Sequence, residues 1–298
     1  MKLLDWIPLE KLDWKYLSYN PSPGAIQLLE ENPKKIDWDL LSYNPCAIHL
    51  LERNQDKICW QFLTCNPGAI HLLEKNPDKI YWPYLSSNTG ATELIEKNLD
   101  KIDKIDWQFL SKNQNAIRLL EKNPDKICWV WLSMNPNAMH LLEENPDKID
   151  WVFLSLNPNP SAIKLLEKNP DKIYWNCLPS NQNPSVIRLL EQNQDKICWE
   201  YLSKNPNAIQ LLEKNLDKID WSNISKNPNA IDLLKQNPEK IDWFNLSQNP
   251  GIFVDDYQTL CKERTETLRE ELMAKTWHPK RFTRWCLDTE EIKELKVY

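Results

Sequence analysis

The chain has 298 residues, including 4 Gly, 21 Pro and 15 Trp, a composition unlike that of an ordinary globular core. Its formal net charge of -6 counts against a broad nucleic-acid interface, because such an interface needs a basic face. The sequence lacks the roughly 18 consecutive apolar residues of a membrane span. Acidic residues near the start argue against a signal peptide, so we expect neither a signal peptide nor a membrane segment.

Residues 1–14 open the chain with two Leu-Asp-Trp pieces eight residues apart. Terminal units of a repeat array are atypical because they shield its ends from solvent. We therefore interpret residues 1–14 as an N-terminal cap and residues 15–253 as the repeat array itself.

The array repeats one pattern, N-P-x-A-I-x-L-L-E-x-N-P-D-K-I-D-W-x-x-L-S-x, and a single Trp marks each copy at intervals of 22 to 25 residues. Self-similarity at such a period is the signature of a repeat architecture. The repeat Trp residues are Trp14, Trp38, Trp60, Trp82, Trp107, Trp129, Trp151, Trp175, Trp199, Trp221 and Trp243.

The first half of each repeat predicts a helix. In one copy Asn44 suits the N-cap and Pro45 the first helical position, where a missing N–H costs nothing. The apolar residues within Ala47–Leu51 then form one face of that helix. A second Asn-Pro follows, and we expect the Asn to end the helix in the left-handed conformation that it tolerates.

The second half contains the Trp and a charged Asp, and its helix start can be placed in two ways. A start at the second Asn-Pro would put the Asp within the apolar arc, where an unpaired carboxylate is costly. A start at the Trp makes the Asp the N-cap, and we favour this reading. The helix is then W-x-x-L-S-x-N, entered through the N-P-D-K-I turn, with weaker starts where Cys or Tyr replaces the Asp. The expected capping residues are Asp37, Asp106, Asp150, Asp220 and Asp242.

One such repeat cannot bury its own apolar residues, whereas stacked copies bury a continuous seam. We therefore predict an all-α fold, an α-solenoid of about ten to eleven 22-residue two-helix repeats with N- and C-terminal caps. With helices about 8–10 Å apart, the array should be a curved rod on the order of 100 Å long. A leucine-rich-repeat-like solenoid is the alternative, although W-x-x-L-S-x-N fits its strand motif poorly.

Residues 254–298 leave the repeat and are interpreted as a helical C-terminal cap. The segment from Asp255 to Lys275 has the pattern of a longer amphipathic helix, and "WHPKRFTRW" reads as an aromatic-basic turn. Asp288 and Glu291 form a capping box that starts a final helix.

The basic residues of this turn alternate with aromatic ones, a chemistry suited to nucleic-acid binding. We favour the reading in which the aromatic residues close the last hydrophobic face and the charges stay solvated. Nucleic-acid binding is the less favoured alternative, with secondary contacts at Lys280, Arg281 and Arg284.

The repeat string and the tail "LREELMAKTWHPKRFTRWCLD" at Leu268–Asp288 together carry a family resemblance. Over about Leu12 to Asp288, they resemble Asn/Pro-rich repeat proteins of giant nucleocytoplasmic DNA viruses (mimivirus-like). The resemblance implies a viral protein located in the cytoplasm of the infected host cell or in the virion. It transfers no catalytic residues to this chain.

The residue types that most often act in catalysis recur at equivalent surface positions of the repeats. His49, His71 and His140 share one exposed helix position, and His278 precedes a Pro in the tail. The carboxylates occur singly with Lys partners, and no glycine-rich phosphate loop is present. We therefore predict no enzyme, no cofactor, and no catalytic or metal-binding residues.

The chain contains eight cysteines, and Cys59, Cys128 and Cys198 share the slot before the repeat Trp. No C-x-x-C pair is present. We favour free thiols in a reducing compartment, with zinc-binding or redox roles as the alternative.

The first and fifth residues after each Trp vary most and are expected to share an exposed face. They are polar in most repeats but apolar in two neighbouring ones. An exposed apolar patch indicates a contact site, and Met suits an adaptable surface. The predicted partner-binding residues are Val130, Met134, Val152 and Leu156. Local burial of these residues, or self-association through them, remains the alternative.

The sequence therefore predicts a non-enzymatic scaffold or adaptor that binds a host or viral protein. A structural component of the virion is the alternative function, and the sequence does not identify the partner.

Overall fold

The structure, a computed structural model, describes residues 1–98 and 103–276. Two compact units are present, one formed by Leu3–Phe253 and the other by Met1–Lys2 with Val254–Tyr298. Within the described residues the strands are β1 (Lys2–Leu3) and β2 (Phe253–Val254), which form a two-stranded sheet. Helices make up the rest of the regular structure. The predicted all-α solenoid is thus confirmed, and the leucine-rich alternative, with a strand in every repeat, is wrong.

Each repeat contains a helix that begins at its Trp, here called the Trp helix. We number the repeats 1 to 11 by these Trp residues. The Trp helices are α1 (Trp14–Tyr19), α3 (Trp38–Tyr43), α5 (Trp60–Thr64), α7 (Trp82–Leu85), α9 (Trp107–Lys112), α11 (Trp129–Leu132), α13 (Trp151–Leu154), α16 (Trp199–Ser203), α18 (Trp221–Ile224) and α20 (Trp243–Leu246).

Between successive Trp helices lies the apolar helix predicted for the first half of the pattern. These ten helices are α2 (Pro23–Glu31), α4 (Ile48–Arg53), α6 (Ile70–Lys75), α8 (Thr92–Glu96), α10 (Ile117–Glu121), α12 (Met139–Glu144), α14 (Pro160–Lys168), α15 (Ser185–Glu191), α17 (Ile209–Glu213) and α19 (Ile231–Gln236).

Short 3-10 helices connect these elements at the two Asn-Pro sites. Those that enter a Trp helix are Leu9–Lys11, Pro33–Lys35, Gln55–Lys57, Pro77–Lys79, Pro124–Lys126, Pro146–Lys148, Pro170–Lys172, Gln194–Lys196, Leu216–Lys218 and Pro238–Lys240. Those at the first Asn-Pro site are Pro45–Ala47, Pro67–Ala69, Pro206–Ala208, Pro228–Ala230 and Pro250–Ile252.

The Asp before the Trp is the N-cap of the Trp helix, as predicted. The carboxylate of Asp150 accepts a hydrogen bond from the main-chain N–H of Phe153 at 3.0 Å, and Asp13, Asp37, Asp106, Asp220 and Asp242 cap their own helices in the same way. Where Cys128 or Tyr81 takes this position, the cap hydrogen bond is missing. The expected weaker starts are therefore confirmed.

The Asn that ends the apolar helix acts differently from the prediction. Asn145 has φ -131° and ψ 61°, which lies outside the left-handed region. Its side-chain amide instead donates to the carbonyl of Leu141 at 2.9 Å, one turn back along the helix. The expected left-handed cap is wrong because a side-chain hydrogen bond satisfies the helix end without it.

Repeat 8 lacks an α-helix at its Trp. Pro179 occupies the slot that holds Ser or Thr in the other repeats, and the 3-10 helix Leu178–Ser180 replaces the predicted Trp helix. A proline at this position has no N–H to donate to the carbonyl of Trp175 four residues earlier, and its ring crowds that carbonyl.

A buried asparagine ladder joins every repeat to the one before it. The side-chain amide of Asn135 donates to the carbonyls of Ser111 (2.9 Å) and Asn113 (3.0 Å) in the preceding repeat. Its side-chain oxygen accepts from the N–H of Asn137 at 3.0 Å. The same residue type does this in all eleven repeats, at Asn20, Asn44, Asn66, Asn88, Asn113, Asn135, Asn157, Asn181, Asn205, Asn227 and Asn249.

The Leu3–Phe253 unit closes on itself, because repeat 1 contacts repeat 11 as any repeat contacts its predecessor. Asn20 donates to the carbonyls of Ser247 and Asn249. The main-chain N–H of Asp13 donates to the Ser247 hydroxyl at 2.8 Å. Lys11 Nζ lies 4.7 Å from the ring centroid of Trp243, as Lys35 Nζ lies 4.3 Å from that of Trp14. The open rod expected from the sequence is therefore wrong.

The core follows the closed array as one continuous apolar layer. The Leu or Ile three residues after each Trp is fully buried, as are the Ala and the second Leu in most of the apolar helices. Each Trp packs against this layer, and in most repeats a Lys of the next repeat covers its outer face, for example Lys148 over Trp129 at 4.4 Å. Burial of this layer is the main stabilising contribution to the array.

In the second unit, the described residues form the helix α21 (Tyr257–Thr276), where the sequence predicted a long helix. Its apolar side chains Leu268, Leu272 and Met273 are exposed. The predicted aromatic-basic turn and final helix lie outside the described residues, as do residues 99–102 of the Asp100–Trp107 insertion.

Candidate functional site: the exposed face of the Trp helices

In most repeats the first, second and fifth residues after the Trp reach the surface, although Asn245 at the second position of repeat 11 is buried. The third position is buried in the apolar core. The fourth is also buried, and in most repeats it is a Ser whose hydroxyl accepts a hydrogen bond from the next repeat. In repeat 6 the exposed positions hold Val130, Trp131 and Met134. The residues that vary from repeat to repeat therefore share one face of the array.

The second position carries a row of apolar side chains through seven consecutive repeats. Two neighbouring pairs are in ring contact, with centroids 6.4 Å apart for Phe109 and Trp131 and 5.1 Å apart for Trp131 and Phe153. The row comprises Tyr16, Leu40, Phe62, Tyr84, Phe109, Trp131 and Phe153. It spans the closure as well, because Tyr16 packs on Phe244 of repeat 11 at 3.9 Å.

A cleft of about 360 Å³, here called the aromatic cleft, lies between the second and fifth positions of repeats 1 to 4. Tyr19 and Tyr43 stack along one side with ring centroids 5.5 Å apart. Gln61 donates to the hydroxyl of Tyr84 at 3.3 Å. The lining residues are Tyr19, Leu40, Tyr43, Gln61, Phe62, Cys65 and Tyr84.

Among the described residues, no Asp, Glu, Lys, Arg or His side chain lines the aromatic cleft. Burial raises the pKa of the Tyr43 phenol, and its neighbours Tyr19 and Cys65 raise it further. Burial also raises the pKa of the Cys65 thiol, which a hydrogen bond from Ser87 partly opposes. Both shifts favour the protonated forms, so the cleft is an uncharged aromatic surface.

A second cleft of about 360 Å³, here called the Met134 cleft, lies between the fifth positions of repeats 5 to 8 and the loops that follow them. Its floor contains Met134 and Leu156 beside Pro136 and Pro158, and Lys112 stands at one end. The remaining lining residues are Thr89, Gln114, Ser180 and Gln182.

The structure brings two of the four predicted partner-binding residues into one cavity. Met134 and Leu156 both line the Met134 cleft and are half-buried. Val130 is 41 % exposed, Val152 is half-buried, and neither lines that cleft. Partner binding by these residues stays a prediction.

The histidines predicted to be surface residues lie on the apolar helices, away from both clefts. His49, His71 and His140 are exposed. Each Nε2 lies within 3.1 Å of a glutamate in the preceding repeat: Glu30, Glu52 and Glu121. Exposed pairs of this kind contribute little to stability, and they join neighbouring repeats along the surface.

The described residues show no cluster of three His, Cys, Asp or Glu side chains arranged to hold a metal ion. The six cysteines with described side chains are unpaired. His278 and the secondary-contact residues Lys280, Arg281 and Arg284 lie outside the described residues. Among the helices of the described ranges, none combines the length and the apolar composition needed to cross a bilayer.

No protein-family model, curated protein or solved structure matches this chain.

The sequence prediction did not include the row of apolar side chains at the second position. It rested on the first and fifth positions, where Tyr19 and Tyr43 counted as polar. A signal was present. Seven repeats in succession carry an apolar residue at the second position, although repeats 10 and 11 carry Asn223 and Asn245 there. A position that tolerates Asn is not required by the core, so its apolar run marks an exposed surface.

Proposed function

We propose that the protein is a non-enzymatic interaction scaffold that binds a partner protein on the exposed face of its Trp helices, with Met134 and Leu156 at the centre. The observation that carries this proposal is the Met134 cleft, in which apolar side chains from adjacent repeats are open to solvent together. Met and Pro side chains offer adaptable apolar contacts, and the surrounding Gln, Ser and Thr side chains offer hydrogen bonds to a peptide backbone.

The closed array supports this proposal through rigidity. Each repeat is held on both sides by the asparagine ladder, and closure leaves repeats 1 and 11 without a free end. A surface that is already ordered loses less conformational entropy when a partner binds. Clefts on such a frame are therefore suited to recognition.

The resemblance to giant-virus repeat proteins directs the search for a partner toward host and viral proteins. Affinity capture from infected host cells should be run with the unaltered chain and with Met134→Asp. The matched control is Gln248→Asp, which changes the fifth position of repeat 11 by the same charge, is half-buried as well, and lies outside both clefts.

A partner should be recovered by the unaltered chain and by Gln248→Asp, and its recovery should fall by about tenfold or more with Met134→Asp. Direct titration with the purified partner then checks the loss. If Met134→Asp recovers the same proteins in the same amounts while melting cooperatively, the Met134 cleft is not the binding site.

A further inference from the structure

The fifth position of each Trp helix lies beside the second position of the next repeat. Lys112, at the fifth position of repeat 5, places its Nζ 5.6 Å from the ring centroid of Trp131 in repeat 6. Cys65, at the fifth position of repeat 3, has its Sγ 4.0 Å from the carbonyl oxygen of Tyr84 in repeat 4. The two pairs are equivalent, so a lysine at position 65 would reach Tyr84 as Lys112 reaches Trp131.

Lysines of this chain lie over several of its aromatic rings. In repeat 9, Lys204 Nζ lies 5.7 Å from the ring centroid of Tyr201. The repeat Trp rings are covered by lysines at 4.3 to 4.7 Å, at Trp14, Trp38, Trp60, Trp129, Trp151, Trp175, Trp199, Trp221 and Trp243. A cation over a ring face is attracted by the negative face of the π system.

The aromatic cleft brings together several rings that no lysine of the described residues covers. Its fifth positions hold Tyr19, Tyr43 and Cys65 in place of lysine. Among the described residues, no lysine or arginine lies over the rings of Tyr19, Tyr43, Phe62 or Tyr84, and each of these side chains is 38 or 39 % exposed. The rings are therefore preassembled and lack a cation such as the one that Lys112 places over Trp131.

Charge favours a cationic occupant over an anionic one. The residues that line the cleft include no Asp, Glu, Lys, Arg or His. The opposite charges of Lys15 and Asp39, at the first positions of repeats 1 and 2, offset each other. The chain as a whole carries a formal charge of -6, which attracts basic partners over longer distances. A guanidinium group fits best, because it stacks on aromatic faces and is more weakly hydrated than an ammonium group.

We propose that the aromatic cleft binds a basic segment of a partner protein, with an arginine or lysine side chain lying over Phe62 or Tyr84 as Lys112 lies over Trp131. The site is separate from the Met134 cleft, and its test does not require the partner sought there.

The test uses the full-length chain and a fluorescein-labelled nine-residue peptide that contains three arginines. The control peptide carries citrulline at the same three places, which keeps the shape and removes the charge. Fluorescence anisotropy measures both affinities at low and at physiological salt. The arginine peptide should bind about tenfold more tightly than the citrulline peptide.

Two variants locate the site without disturbing the repeat. Phe62→Leu combined with Tyr84→Leu places at both second positions the residue that repeat 2 already has there, Leu40. Cys65→Lys supplies the chain's own cation at a position where repeats 5 and 9 have lysine. Each change should weaken binding of the arginine peptide by about fivefold or more, whereas Tyr201→Leu, at the second position of repeat 9 and outside both clefts, should leave its affinity unchanged.

Equal binding of the two peptides would overturn the proposal, since it would show that the cleft selects apolar contact and not charge. Binding of the arginine peptide that survives both variants would overturn it as well, because the peptide would then bind elsewhere on the acidic surface. A loss caused by Tyr201→Leu alone would also overturn it, because the basic segment would then bind at repeat 9.

Discussion

The side-chain amide of Asn20 donates one hydrogen bond to the carbonyl of Ser247 (2.9 Å) and another to the carbonyl of Asn249 (3.0 Å). These bonds close the array across 227 and 229 residues of sequence, whereas Asn135 makes the same pair across 24 and 22. The closing interface therefore has the chemistry of every other interface but no direct covalent connection. Local opening should require least free energy there.

Asn20→Ala and Asn135→Ala should have different effects, although each removes the same three side-chain hydrogen bonds. Both leave buried carbonyls without a donor, which costs on the order of 2–4 kcal/mol. In Asn20→Ala we expect this cost to appear as faster hydrogen exchange at the main-chain N–H groups of Asp13 and Leu4, which bond across the closure. In Asn135→Ala it should lower the global unfolding free energy. Exchange mass spectrometry and denaturant unfolding measure the two effects.

Exchange at the N–H of Cys128, which bonds to Ser111 inside the array, serves as the internal reference. If Asn20→Ala speeds exchange at Cys128 as much as at Asp13, the closure is not a separate opening unit.

Cys128→Asp should stabilise the protein by adding a missing helix cap. Cys128 has φ -88° and ψ 96°, close to the φ -86° and ψ 110° of Asp150, so an Asp at position 128 can accept from the start of α11 without backbone change. The expected gain in unfolding free energy is about 0.5–1 kcal/mol, and Asp150→Cys should lose a similar amount. Thermal and urea unfolding measure both. A Cys128→Asp variant that is less stable than the parent would show that capping is not what the position requires.

The sequence was sufficient for the elements but not for the closure. The helices that the repeating Trp and the apolar residues predict, and the Asp caps, are set by short-range geometry. They were predicted correctly except at Pro179, whereas the left-handed Asn cap was not. The curvature of an array is the sum of small rotations between repeats, which no single residue specifies. The contact between Asn20 and Asn249 therefore could not be predicted, and residues 1–14 were assigned to an end that the array does not leave open.

The candidate site was likewise only partly predictable from the sequence. Met134 and Leu156 were placed on one surface by the repeat spacing alone, because they hold the same position in neighbouring stacked repeats. The aromatic cleft combines Tyr43 of one repeat with Phe62 of the next and Tyr84 of the one after. That combination depends on the stagger between neighbouring helices, which the sequence pattern does not give.

Pro179→Ser should restore the interface between repeats 8 and 9. In the other repeats the hydroxyl at this position accepts from the N–H before the next Trp, as Ser203 does from Asp220 at 3.1 Å. Serine at position 179 would supply that acceptor to Cys198 and allow a helix to form at Trp175. We expect a gain of about 1–2 kcal/mol in unfolding free energy from one hydrogen bond and the removal of the proline clash. Denaturant unfolding measures the gain, and Pro179→Ala controls for loss of the ring alone. Equal stability of the Ser and Ala variants would exclude the hydrogen bond as the cause.

Cys65 should react more slowly with iodoacetamide at pH 8 than the exposed Cys46. Burial raises the pKa of the Cys65 thiol, so a smaller fraction is present as the reactive thiolate at a fixed pH below that pKa. The hydrogen bond from Ser87 lowers that pKa, so Ser87→Ala should raise it further and slow the reaction again. Peptide-resolved mass spectrometry should show alkylation of Cys65 at least about threefold slower than that of Cys46. Above the pKa of Cys65 the effect of Ser87→Ala should disappear, since both forms are then ionised. An effect of equal size at high pH would assign the slow reaction to restricted access and not to protonation.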